Sequence, residues 1–203
     1  MKFDRDTIRE RLEQVRTERA AREQAEPGTL GPQVVQTVLN EFDQAYDEQF
    51  GGFGNEPKFP QTDAIRLLIR RHLRTGERQP LERARFTLQQ MAGGGMYDHV
   101  EGGFFRYSTT RDWSVPHFEK MSEDHGGLLL ALAELALVSE DEQEVALGIA
   151  EPTIAYLDRT LSHREGGFLG SQDADEEYFA LDAEGRAARQ APFVDPRVYA
   201  SWT

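Results

Sequence analysis

The chain has 203 residues, enough for one domain with a sizeable hydrophobic core. Its 36 acidic and 23 basic residues give a formal net charge of −13, which argues against nucleic acid or an anionic membrane as the main partner. The sequence contains no cysteine, so disulfides, thiolate metal sites and CxxC redox chemistry are excluded within it.

The N-terminal stretch is charged and only weakly amphipathic. Residues 4–24 predict a helix with a thin apolar stripe, which ends at Pro27-Gly28. We therefore predict a charged arm over residues 1–28 and a main domain over residues 29–203. The stretch has no apolar region typical of a secretory signal, and no later run approaches the ~20 apolar residues of a membrane span, so we expect a cytoplasmic location.

Five further helices are predicted from apolar side chains that recur at helical spacing. We expect them at about 32–50, 63–73, 80–91, 116–139 and 140–161. The half of the fourth of these that covers residues 128–138 is apolar nearly all round, which predicts a buried helix. Pro152 lies inside the last one and is expected to kink or split it. From about residue 171 the chain becomes acidic and irregular.

A Gly-Gly-Phe motif recurs at residues 51–53, 102–104 and 166–168. Helix pairs lie between the copies, and the spacing suits a helical-hairpin repeat with an equivalent turn each time. Glycine pairs permit positive φ angles and close backbone approach, while the phenylalanine can point inward. We therefore predict true structural repetition.

The stretch from Gly93 to Asp124 concentrates the residues that carry chemistry. If Pro116 opens a helix, then His117, Lys120 and Asp124 share one face of its first two turns. A histidine beside a cation and a carboxylate can serve as a general acid or base near neutral pH. The alternative is that Lys120 and Asp124 form an ordinary ion pair and that His117 caps the helix.

Other polar and aromatic side chains flank this group. Asp98 could orient His99 or act as an acid itself, and Arg106 and Tyr107 follow the second Gly-Gly-Phe motif. Aromatic rings such as Trp113 stack on pyranose faces, and charged groups accept or donate hydrogen bonds to sugar hydroxyls. This combination favours a sugar-like ligand. The alternative is that the rings fill space beneath a glycine-rich loop.

The acidic stretch after the third motif contains Asp173 and Asp175, separated by one residue. These two carboxylates could bind Ca²⁺ or act as a pair. An acidic run of this kind is more often simply solvated. No spacing of His and carboxylate residues specifies a metal, and no Walker loop, GxGxxG, GxSxG or HExxH motif is present, so no metal or cofactor is expected.

Four motifs occur together in order: GGFGNEPKFP at 51–60, GGGMYDHVEGGFFRYS at 93–108, WSVPHFEKM at 113–121 and SQDAD at 171–175. From about Leu30 to Asp175 the chain resembles the helical region of the thioredoxin-domain proteins of the YyaL/spermatogenesis-associated protein 20 family. The resemblance implies an all-α (α/α) toroid of the six-hairpin glycosidase type, similar also to N-acylglucosamine 2-epimerases. That superfamily acts on carbohydrates with His, Glu and Asp as acids and bases.

The sequence departs from the family in two ways. It shows no thioredoxin-like domain, and it predicts three helical hairpins where a full toroid has six. We therefore expect about half of the ring, either as a truncated product or with open edges that pair with a second chain. Since a half ring would expose apolar faces, we also expect self-association or a partner chain that completes the toroid.

Two hypotheses about function follow. In the first, the chain is a carbohydrate-active or carbohydrate-binding domain with a sugar-like small molecule as ligand. Its acid–base candidates are His117 and His99, with Asp98, Glu119 and Asp124 as carboxylate partners. The expected ligand-lining residues are Lys58, Arg106, Tyr107, Trp113, Lys120, Asp173 and Asp175. In the second, the chain is a non-catalytic scaffold that binds a partner or its own copy.

Overall fold

The structure, a computed structural model, describes residues 31–201 and, before them, Glu13 alone. The chain divides into two compact units, Met1–Glu41 and Phe42–Thr203. The predicted arm of residues 1–28 lies outside the described residues except for Glu13, which is helical and exposed. The predicted boundary after residue 28 therefore stays a prediction.

The described part of the chain is mainly helical. The helices are α1 Pro32–Ala45, α2 Thr62–Thr75, α3 Arg78–Gly93, α4 Ser122–Ala136, α5 Glu140–Tyr156, α6 Glu176–Phe179 and α7 Ala183–Ala187, with a π-helical turn at Leu157–Leu161. Two consecutive pairs, α2 with α3 and α4 with α5, pack together, and α2 also contacts α4. None of the helices within residues 31–201 is long and apolar enough to cross a lipid bilayer.

The core of the second unit lies among α2, α3, α4 and α5. Its fully buried members include Ile65, Ile69, Leu88, Met91, Leu128, Leu132 and Leu135. The prediction that residues 128–138 form a helix buried nearly all round is wrong on one side, because Leu130 is 46% exposed and Leu137 is 82% exposed.

The prediction of a helix that opens at Pro116 is also wrong. Two short antiparallel strand pairs occupy this stretch: β1 Tyr107–Ser108 with β2 Pro116–His117, and β3 Lys120–Met121 with β4 Ser171–Gln172. Helix α4 begins only at Ser122. The partner of β2 begins only nine residues before it, in a hairpin, whereas the partner of β3 lies about 50 residues further along the chain. Strand pairing therefore overrides the local helical spacing.

This correction changes the expected geometry of the candidate residues. His117 lies on β2, Lys120 on β3 and Asp124 in the first turn of α4, so the three do not share one helix face. The ordinary helical ion pair between Lys120 and Asp124, the alternative interpretation, is absent as well, because the Lys120 ammonium donates to Asp98 instead.

Pro152 neither splits nor ends its helix. Helix α5 continues through Pro152 to Tyr156 and then widens into the π-helical turn Leu157–Leu161. Single π-helical turns of this kind absorb an extra residue without breaking the helix.

The three Gly-Gly-Phe motifs form the same turn, which confirms the predicted repetition. In each turn one residue donates its backbone N–H to the carbonyl of the second glycine and accepts from the N–H of the first, at 2.8–3.0 Å. That residue is Asp47, Asp98 or His163. The phenylalanine of each motif also forms a β-bridge. Its partner is the residue that precedes Asp47, Asp98 or His163 in the sequence, namely Tyr46, Tyr97 or Ser162. All six glycines have positive φ angles, which glycine adopts without steric cost.

Candidate functional site

Three aromatic side chains stack where β1 meets β2. Tyr107 lies opposite His117 in the strand pair, and their rings stack 4.9 Å apart at an angle of 17°. Phe59, from the extended segment before α2, packs on Tyr107 with 4.8 Å between ring centroids. Phe59 is 41% exposed, and Tyr107 and His117 are half-buried. The three rings therefore form a partly exposed platform.

A charged pair lies beside this ring platform. Arg106 Nη1 donates to Glu119 Oε2 at 2.8 Å, and His117 Nε2 lies 3.7 Å from the same oxygen. The backbone N–H of Arg106 also donates to the Glu119 carbonyl, which fixes the two residues side by side. The structure thus brings together four predicted site residues from two separate motifs.

Asp124 is the unusual carboxylate of this region. Its Oδ2 is buried, and no donor among the described residues forms a hydrogen bond to it. Burial raises the pKa of Asp124 to about 6; Arg106 opposes this rise, whereas Glu123 and Glu119 add to it. With this pKa, about half of the molecules carry the Asp124 proton at pH 6 and about a tenth carry it at pH 7.

Asp124 also lines a cavity of about 390 Å³ between the starts of α2 and α4, here called the Asp124 pocket. Its lining residues are Phe59, Pro60, Gln61, Thr62, Asp63, Glu123 and Asp124. Phe59 belongs both to this pocket and to the ring platform, so the two features are continuous. Phe59 and Glu123 were not assigned a role from sequence, although Phe59 falls inside the PKFP segment of the first motif.

Lys58 and Trp113 are fully buried rather than exposed to a ligand. The Lys58 ammonium donates to Asp47 Oδ2 at 2.8 Å and to the Arg111 carbonyl, and it lies over the Trp113 ring. The Trp113 indole N–H donates to the carbonyl of Phe50 at 2.8 Å. These side chains hold the first Gly-Gly-Phe turn, so the alternative interpretation of the ring as a space-filling group fits Trp113.

Asp98 and Lys120 form a second buried network. The Lys120 ammonium lies 2.7 Å from Asp98 Oδ2, and Arg186 Nη1 reaches both Asp98 oxygens at 2.7 and 2.9 Å. Burial lowers the pKa of Lys120 to about 8 although Asp98 opposes this shift. Burial alone would raise the pKa of Asp98, but Lys120 and Arg186 lower it below its usual range.

This network argues against one of the two roles considered for Asp98, that it acts as an acid itself. A glycosidic acid must hold a proton near neutral pH, and the two cations keep Asp98 ionised. Arg186 was missed from sequence because it lies 88 residues from Asp98, in the acidic tail, with no local motif around it.

The remaining candidates lie in other surroundings. His99 is exposed, with its ring edge-on to Tyr97 and Nε2 3.1 Å from the Gly94 carbonyl. Asp173 is exposed, and Asp175 caps α6 by accepting from the Tyr178 N–H at 2.9 Å. No group of three or more His, Asp or Glu side chains within residues 31–201 is arranged to hold a metal ion.

Comparisons with known proteins cover both the sequence and the fold. No family model matches the chain. It is 38% identical over 185 residues to spermatogenesis-associated protein 20 of Mus musculus and 40% identical to that of Homo sapiens. Each match covers 86% of this chain, and the chain spans 23% of the length of these curated relatives.

Three solved structures with a similar fold are named as carbohydrate enzymes. Cellobiose 2-epimerase from Spirochaeta thermophila matches with a TM-score of 0.57 and 21% identity, over 77% of this chain and 43% of that one. A D-mannose isomerase gives 0.58 and 12% identity, over 78% and 44%. A family 76 glycoside hydrolase (mannosidase) from Bacteroides thetaiotaomicron gives 0.52 and 12%, over 71% and 36%.

At these identities the structural matches establish the fold alone. They show that the described helices form part of an (α/α) toroid, as the sequence motifs implied. The resemblance to the spermatogenesis-associated protein 20 family is thereby confirmed, and this chain is a relative of its helical region.

Proposed function

We propose that the Asp124 pocket and the adjoining side chains of Arg106, Tyr107, His117 and Glu119 bind a carbohydrate and exchange protons with it. The observation that carries this proposal is the buried Asp124 carboxyl group with its raised pKa, in the wall of a cavity and beside a charged pair. Enzymes place acid and base roles on groups whose environments push their pKa values apart.

The acid and base roles are assigned to different side chains of this site. Asp124 is the acid, because burial favours its protonated form. His117 and Glu119 share the base role, with Arg106 orienting Glu119. The ring platform of Phe59 and Tyr107 offers flat apolar faces to a pyranose ring. The fold supports a sugar ligand, since the similar solved structures are an epimerase, an isomerase and a mannosidase.

The test is a thermal-shift screen of mono- and disaccharides followed by calorimetry on any hit. A sugar that binds this pocket should raise the melting temperature by about 5–10 °C at ~100 times its dissociation constant. We expect the shift to disappear in Asp124→Asn and to persist in Asp173→Asn. The second variant removes an exposed carboxylate outside the pocket.

Two results would refute the proposal. One is that no sugar of any class produces a shift. The other is that Asp124→Asn retains the full shift, which would place the sugar elsewhere on the protein.

A second candidate function, an interaction module, is favoured by exposed apolar side chains on neighbouring helices. Leu130 and Leu137 lie seven residues apart along α4 and its end, and Leu147 and Ile154 repeat this spacing on α5. Light scattering tests it directly. Self-association that is abolished by Leu130→Asp and Leu137→Asp, with sugar binding retained, would assign these helices to an interface; a monomer at all concentrations would reject it.

A further inference from the structure

Residues 174–191 form a loop whose two ends are tied together. The N–H of Asp173 donates to the Phe193 carbonyl and that of Asp195 to the Ser171 carbonyl, both at 2.8 Å. The loop contains the short helices α6 and α7. Compact surface loops with closed ends are frequently functional, because they can move as a unit while their base stays in place.

Three side chains attach this loop to the body of the protein. Within residues 174–191 only Tyr178, Phe179 and Arg186 are buried. Phe179 packs against the rings of Phe105 and Phe118, and the Tyr178 hydroxyl lies 2.8 Å from a Glu101 carboxylate oxygen. The loop's fifteen other residues are exposed or half-buried, so little apolar surface holds it down.

Beneath the loop lies a polar cluster that belongs to the body. Asp98 and Glu101 supply two carboxylates and Lys120 supplies one cation. Arg186 Nη1 adds the second cation, 2.7 and 2.9 Å from the Asp98 oxygens and 3.3 Å from Glu101 Oε2. Arg159 sits outside and donates to the backbone carbonyl of Glu101.

The charges of this cluster therefore balance only while the loop is closed. If the loop lifts, Arg186 leaves with it, and two carboxylates face a single lysine. Asp98 then still pairs with Lys120, but Glu101, whose side chain is 27% exposed, has lost its ion pair. The open cluster keeps one uncompensated negative charge and therefore favours another cation with N–H donors.

We propose that residues 174–191 are a lid over a binding site for an organic cation, such as a guanidinium or a primary ammonium group. In the closed state the guanidinium of Arg186 occupies this site. The carboxylates of Asp98 and Glu101 bind the cation, and the rings of Phe105 and Tyr156 line the site around Lys120. This site uses none of the residues of the Asp124 pocket, so the two proposals stand or fall separately.

Hydrogen exchange and chemical rescue test the lid. In Arg186→Ala, we expect amides of residues 174–191 to exchange about tenfold faster while α2, α3 and α4 keep their protection. Methylguanidinium at millimolar concentration should raise the melting temperature of Arg186→Ala in a saturable way. Arg189→Ala is the matched control, since Arg189 lies on the same loop but is exposed and pairs with Glu177.

A second variant covers the case in which Arg186→Ala does not fold. Phe179→Ala keeps all four charges and removes an apolar anchor. Here we expect faster loop exchange that methylguanidinium increases further, because the probe competes with Arg186 and holds the lid open. The proposal is overturned if loop amides in Phe179→Ala exchange at the wild-type rate. It is equally overturned if methylguanidinium stabilises Arg186→Ala no more than Arg189→Ala.

Discussion

The ammonium of Lys120 lies 2.7 Å from Oδ2 of Asp98, and both side chains are buried. Lys58 stands in the same relation to Asp47, at 2.8 Å. In both cases the carboxylate opens a Gly-Gly-Phe turn, and its Oδ1 accepts backbone N–H groups inside that turn. The motifs thus build one buried ion pair twice, and the two pairs support equivalent turns.

Asp98→Asn and Asp47→Asn should each lower the free energy of unfolding by about 3–5 kcal/mol, because each leaves a buried lysine without its counter-charge. Urea denaturation measures the change. Asp63→Asn is the control, since this carboxylate is 94% exposed and its pair with Arg66 contributes less than about 0.5 kcal/mol. A loss below ~1 kcal/mol at Asp98 would show that the pair does not hold the turn.

Gly52→Ala should destabilise the protein far more than Gly54→Ala. Both glycines have φ angles near +77°, at +76° and +78°, so each alanine costs about 1–2 kcal/mol in the left-handed region. A Cβ on Gly52 would also lie 2.5 Å from the buried Trp113 ring, whereas Gly54 faces open space. We expect a further ~1–3 kcal/mol at Gly52 from overpacking. Equal melting temperatures for the two variants would contradict the packing.

Asp124 and His125 are neighbours whose ionisation affects stability in opposite directions. Burial raises the pKa of Asp124 from 3.8 to about 6, so the folded protein binds this proton more tightly than the unfolded chain. The resulting stabilisation is complete below pH 3.8 and is lost as the pH rises through about 6. Burial lowers the pKa of His125 from 6.5 to about 4, so the unfolded chain binds this proton more tightly than the folded protein. The contribution of His125 therefore makes the protein more stable as the pH rises from about 4 to 6.5.

Asp124→Asn should therefore steepen the rise of stability between about pH 4 and pH 6.5. At pH 7 the variant should be more stable than the wild type by about 1–2 kcal/mol, a value reduced for partial exposure. At pH 4 the difference should vanish, because Asp124 is then protonated. Denaturation curves across this range measure the difference, and other titrating groups cancel in it. A constant difference at every pH would mean that Asp124 has an ordinary pKa.

His117→Ala should weaken sugar binding about tenfold while the melting temperature stays within a few degrees of the wild type. The reason is that His117 is half-exposed and contacts Tyr107 and Glu119 rather than the core. His99→Ala, which removes an exposed histidine elsewhere, is the control for calorimetry. A large loss of stability with intact binding would make His117 a structural residue.

Sequence periodicity predicts most of the helices well, because their apolar faces are read locally. Helices α2 and α3 extend the predicted ranges by one or two residues at each end. The stretch after Pro116 could not be read in this way, since β2 and β3 depend on partners at residues 107–108 and 171–172.

The candidate site was predicted in part. Local motifs selected Arg106, Tyr107, His117, Glu119 and Asp124, and the structure brings them into one region. Nothing in the sequence indicated that Lys58 and Lys120 are buried, because a buried cation looks like a binding residue until its counter-charge is located. Asp47 is the counter-charge of Lys58, and Arg186 is the cation that the proposed lid places on Asp98. Neither residue lies in a motif-like stretch.

The spacing of the buried ion pairs has a consequence for how the chain folds. Asp47 and Lys58 are 11 residues apart, and Asp98 and Lys120 are 22 residues apart, whereas Arg186 lies 88 residues from Asp98. Short loops close fastest, so each turn neutralises its own carboxylate soon after it leaves the ribosome. Arg186 is translated after both of these pairs, so its docking follows the formation of the turns.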